Sequence, residues 1–110
     1  MANTFKRKTQ RGIGTTLTQI NTYVVPAATT TTVIGLICSN TSAADVNVDV
    51  AHYDGTNSTY LVKNAPVQPG SSLVAVGGSQ KVVLQTGDSI QVKSSATTSV
   101  DVVMSILEIT

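Results

Sequence analysis

Residues 45–53 read DVNVDVAHY, and the reading of this stretch decides the fold. Val46, Val48 and Val50 alternate with Asp45, Asn47 and Asp49, a period of two that puts the valines on one side of an extended chain and the polar groups on the other. A helix would scatter both sets around its axis. The stretch is read as a half-buried strand with one wet face. Asp54-Gly55-Thr56-Asn57 follows, where Asp-Gly accommodates the positive φ angles of a tight hairpin, and residues 58–63 (STYLVK) return as the partner strand.

The same reading extends outward in both directions. Upstream, residues 31–40 (TTVIGLICSN) form an apolar run of strand length, and Gly35 at its centre marks a bulge or a close backbone approach. Residues 17–25 (LTQINTYVV) alternate loosely before Pro26 and suit a further strand. Downstream, Pro66 and Pro69-Gly70 make a connection to residues 72–76, Gly77-Gly78 turns the chain, and residues 81–84 and 89–93 resume it. Residues 99–109 (SVDVVMSILEI) are the longest candidate, with Val100, Val102, Met104, Ile106 and Glu108 on one face. About eight strands at this spacing, with no helical crossover, predict an all-β, antiparallel β-sandwich. Jelly-roll topology is preferred to the immunoglobulin arrangement, whose Cys, Trp, Cys spacing is missing.

Composition agrees. Val, Thr and Ile are stiff at χ1 and fit a pleated surface, whereas strong helix formers never fall at helical spacing. The chain has 110 residues, enough for one core. Charged residues are 12% of the total and the formal net charge is +1, which gives no overall field for nucleic acid, membrane or an acidic substrate. The distribution is uneven, however. Lys6, Arg7, Lys8 and Arg11 lie near the start and no acidic residue precedes Asp45, while from residue 26 onward three basic residues face six acidic ones, a balance of −3. Residues 1–16 are therefore read as a basic extended N-terminal arm, and residues 17–110 as the sandwich domain. Phe5, Lys6, Arg7, Lys8 and Arg11 are its candidate interface residues, directed at an acidic neighbouring body. Nucleic acid is not expected as a partner, because aromatics for base stacking are scarce.

No catalytic, cofactor-binding or metal site is expected. His52 is the single histidine and is read as a surface residue on the face of Asp54, away from the valine triplet. Cys38 sits inside an apolar run, where a thiol behaves as a small inert hydrophobe and, alone, forms no internal disulfide. Asp45, Asp49 and Asp54 are read as a solvated face rather than a cation site, which would need oxygens converging from a shaped loop. The glycine-rich Val76-Gly77-Gly78-Ser79 is a turn, since no helix follows it. No apolar stretch follows the basic residues as in a signal peptide, and no run approaches a membrane span.

Across nearly its whole length the chain resembles small virion structural proteins of tailed bacteriophages, especially phages of aquatic bacteria. The resemblance lies in Met1-Ala2-Asn3-Thr4-Phe5-Lys6, Tyr23-Val24-Val25-Pro26-Ala27, Val33-Ile34-Gly35-Leu36 and Ser39-Asn40-Thr41. It continues in Tyr60-Leu61-Val62-Lys63-Asn64-Ala65-Pro66-Val67, Val76-Gly77-Gly78-Ser79-Gln80-Lys81, Gly87-Asp88, Val100-Asp101-Val102-Val103 and Leu107-Glu108-Ile109. It implies a β-sandwich present in many copies on the particle, at the head surface, neck or tail, assembled in the host cytoplasm. The implied partners are further copies of the chain and other virion proteins, namely major capsid, neck or tail subunits. A second reading is a carbohydrate- or cell-surface-binding module, for which Tyr53 and Tyr60, flanking the Asp54-Gly55 turn, are the candidate residues.

Overall fold

The computed structural model describes residues 2–110; Met1, the first residue of the expected arm and of the family-like opening, lies outside them. The described residues form nine strands: β1 (Asn3–Ile13), β2 (Thr18–Gln19), β3 (Thr30–Asn40), β4 (Val46–Tyr53), β5 (Ser58–Val67), β6 (Ser72–Val76), β7 (Val82–Leu84), β8 (Ser89–Ser94) and β9 (Val100–Ile109). One sheet runs β1-β9-β3-β6, with β7 also on β3, and the second runs β2-β8-β4-β5; every pairing is antiparallel. First pairs with last, second with next to last, and so inward, which is a jelly roll with β7 as an addition.

The valine triplet of β4 is fully buried, as its alternation requires, against Ile90 and Val92 of β8 and the inner face of the other sheet. That facing set is Val33, Leu36 and Cys38 of β3 with Val102, Met104 and Ile106 of β9. The Asp54-Gly55 turn is present, with Gly55 at φ 96° and the Asp54 carboxylate accepting the Thr56 and Asn57 N–H groups. The β3–β9 register shifts between Val33 and Gly35, the bulge expected at Gly35. Asn40 closes the end of the sandwich: its amide donates to the carbonyls of Ala44 and Val67, and its oxygen accepts from Ser42.

The predicted arm has a place in the ladder, and three other expectations are corrected. The stretch expected as an extended arm is β1, in continuous register with β9 of the same chain from Asn3↔Ile109 to Gln10↔Val102. Its side chains carry no apolar alternation because the backbone ladder and polar contacts, not burial, hold it. Residues 17–25 do not form a long strand; only Thr18–Gln19 pair, and Asn21 and Thr22 take left-handed φ angles in a 3-10 turn that tucks Ile20 into the core. β5 continues through Pro66, which an edge strand tolerates because the missing N–H has no neighbour to reach. His52 lies opposite buried Ile90, on the valine side, and its Nε2 is 3.3 Å from Asp88 at the rim of the core.

Candidate assembly interface

The two faces of the five-stranded sheet differ in what covers them. The inner residues of β3 and β9 meet the second sheet. No second layer covers the outer ones in the single chain, yet Ile34, Ile37, Val103, Leu107 and Ile109 among them are apolar. Cross-strand register assembles them into two rows: Phe5, Leu107, Thr32 and Val83 across β1, β9, β3 and β7, and Thr9, Val103, Ile37 and Val74 across β1, β9, β3 and β6. Val74, Val83, Val103 and Ile37 are 60%, 57%, 47% and 40% exposed, and Phe5 is 74% exposed. Between the rows, Ser105 and the Gly35 bulge are small, leaving a shallow depression of about 520 Å³ lined by Phe5, Arg7, Ile34 and Ser105. Exposed apolar surface concentrated on one sheet face is the usual mark of a contact surface.

One edge of this sheet is β1, with β6 and β7 at the other, and the alternation of β1 divides the arm residues predicted from sequence. Phe5 and Arg7 stand on the outer face beside the depression. Lys6 and Lys8 point the other way, and Arg11 is exposed where the ladder loses register. The Lys6 ammonium is 2.9 Å from Glu108 Oε1, Tyr23 donates to Glu108 Oε2 at 2.7 Å, the Thr31 hydroxyl lies 2.8 Å from the Tyr23 oxygen, and Lys8 sits 5.2 Å from the Tyr23 ring centroid. Gln10 accepts the Asn21 N–H. Glu108 is thus a buried carboxylate whose counter-charge comes from the edge strand. The Tyr23 hydroxyl and then the Lys6 ammonium hold its carboxyl below the usual 4.5 against the opposing effect of burial. Burial pushes the Tyr23 hydroxyl up to about 12.

Asp49, expected on a wet face, is buried under the β5 bulge, where it accepts the Asn64 N–H at 2.7 Å and pairs with Lys63 at 3.1 Å. Burial would raise its pKa; the Asn64 N–H and the Lys63 ammonium outweigh it, and the net direction is downward from 3.8. Both Glu108 and Asp49 therefore have folded-state pKa values below their unfolded ones, so their contribution is present above the unfolded pKa and is lost as pH falls through the folded one. Urea midpoints are expected to hold steady near neutrality and to drop as pH falls below about 4.5, with a shallower drop in Glu108→Gln. A Glu108→Gln protein with an unchanged acid slope would remove Glu108 from this account.

Tyr53 and Tyr60 fall on one face of the four-stranded sheet, diagonal to each other across the β4–β5 pair. Each is already engaged: the Tyr53 hydroxyl donates to the Gly55 carbonyl at 3.0 Å, and the Lys63 ammonium lies 4.7 Å from the Tyr60 centroid. Cys38 is fully buried, and burial pushes its thiol up to about 12, far from nucleophilic or bridging use. Among the described residues, no group of three His, Cys, Asp or Glu side chains converges as metal ligands, and no helix is long and apolar enough to cross a membrane.

Sequence reading missed the outer rows and the Glu108 cluster. A signal for the first was present: β3 and β9 are apolar on successive residues (Val33-Ile34, Leu36-Ile37, Val102-Val103, Ile106-Leu107), the pattern of strands covered on both faces.

No protein-family model matches the chain, and no curated protein matches it. Among solved structures, a chain from Bacillus endospore appendages, described as a family of disulfide-linked pili, superposes with a TM-score of 0.54 at 16% identity. The match covers 96% of this chain and 85% of that one, a likeness of fold.

Proposed function

We propose that this chain is a non-enzymatic structural subunit that assembles in many copies through the outer face and the β1 edge of its five-stranded sheet. The observation that carries this reading is the bare apolar face on strands whose composition belongs to two-sided burial. Ten residues at ~3.4 Å across four strands at ~4.8 Å make a face of roughly 650 Å² in plan. Each partner contributes about 800 Å² in a standard protein interface, so the face has the right scale. The appendage subunit with the same fold fits a structural role, and the sequence resemblance makes a tailed-phage virion the particle we favour, with head decoration, neck and tail as its candidate positions.

Assembly of this chain would be non-covalent. Its one thiol is sealed in the core, unlike the disulfide linkage described for the appendage pili. Sedimentation of the purified chain over rising concentration is expected to show reversible growth beyond the monomer, with the same profile whether or not a reductant is present. A monomer at every concentration would sink the proposal for the chain alone.

A further inference from the structure

We propose that β1 is a strand exchanged between copies: residues 3–11 of one molecule leave their own β9 and pair with β9 of a second copy of this chain. The inference rests on the assembly reading above and assigns the contact that joins one copy to the next.

Three features of β1 support it. Between Asn3 and Arg11 no side chain is buried; attachment consists of the ladder to β9 and the polar contacts of Lys6, Lys8 and Gln10. All of these would be reproduced with identical partners in a second copy, so exchange changes connectivity without changing contacts, the condition that makes swapping a low-cost route to assembly.

The strand also has a defined pivot. Register breaks between Gln10 and Ile13, and Gly12 sits at φ 66°, a conformation open to glycine, with its N–H held by Asp101. Beyond the pivot the chain is fastened to the body: Ile13 is buried and its carbonyl accepts the Ser99 N–H, while the Gly14 carbonyl accepts the Ser94 N–H. Residues 3–11 can therefore swing as a unit of about 30 Å, at ~3.3 Å per residue, without disturbing the core.

The vacated slot is selective. Without β1, the β9 edge has a row of unpaired backbone groups and a buried Glu108 without a cation. The occupant must be extended and carry an amine where Lys6 lies, and the β1 of another copy meets both requirements. A two-fold exchange closes at a dimer, whereas a head-to-tail exchange propagates.

Thr9 and Val103 are directly opposed across β1 and β9, and both are exposed. Chains carrying Thr9→Cys and chains carrying Val103→Cys are mixed as monomers, allowed to assemble, checked by sedimentation and oxidised; Cys38, buried, stays out of the reaction. Exchange is expected to give a disulfide between the two kinds of chain. The double variant Thr9→Cys/Val103→Cys is expected to give interchain dimers or a ladder on a denaturing gel, whose length reads closed or open exchange. Assembly by sedimentation with only intrachain bridges in the double variant would overturn exchange while leaving the assembly reading intact. Absence of assembly would overturn both.

Discussion

The variant Ile37→Lys/Val103→Lys is expected to remain folded and to lose self-association by about a thousandfold or more. The two residues are cross-strand partners at the centre of the outer face, 40% and 47% exposed. Substitutions at such sites usually shift stability by no more than about 0.5 kcal/mol each. In an assembly that covers the face, the lysines would place two ammonium groups among the apolar residues at its centre. Desolvating unpaired charge costs several kcal/mol, and about 4 kcal/mol already corresponds to a factor of a thousand in Kd. The measurement is a sedimentation profile beside a thermal melt. Unchanged association with an unchanged melt would show that the outer face is not the contact surface.

A second large effect separates neighbours in sequence. Leu36→Ala is expected to cost about 2–5 kcal/mol of stability, whereas Ile37→Ala should stay near wild type in the monomer. Leu36 is fully buried opposite Met104, and Ile37 stands on the other side of the same strand. At ~4 °C per kcal/mol for a domain near this size, Leu36→Ala should melt on the order of 10 °C or more below Ile37→Ala. The contrast tests the register directly, because a slip of one residue would reverse which substitution is costly. Equal melts for the two variants would refute the placement of β3.

What was legible in the sequence follows from which forces leave a local trace. The valine alternation of β4, the Asp-Gly hairpin, the Gly35 bulge and the inner face of β9 all express short-range rules, and the structure has each of them. β1 left no such trace, because its partner is a strand about a hundred residues away and its side chains from Asn3 to Arg11, Phe5 aside, are polar. Its charge was read correctly as segregated; that Lys6 would meet a buried Glu108 is visible only in the fold. Residues 17–25 show the reverse: Ile20, Tyr23 and Val25 are buried as their character demands, yet left-handed Asn21 and Thr22 break the strand they suggest. His52 was legible and misread, since its number places it with Val46, Val48 and Val50. The outer rows were likewise visible as doubled apolar residues, but sequence alone could not tell cover within the chain from cover by another copy.

The closing of the ladder at the chain ends has a mechanical meaning. Ala2 and Thr110 exchange both backbone hydrogen bonds, at 3.1 and 2.9 Å, so these two positions lie side by side at one end of the β1–β9 ladder. Tension applied between them would open β1 from β9 like a zipper, breaking one rung at a time, rather than shearing all rungs together. The ladder would therefore be weakest under a load applied at Ala2 and Thr110 of one molecule. It would be strongest if the force entered along β1 and left through another strand, loading the rungs in parallel.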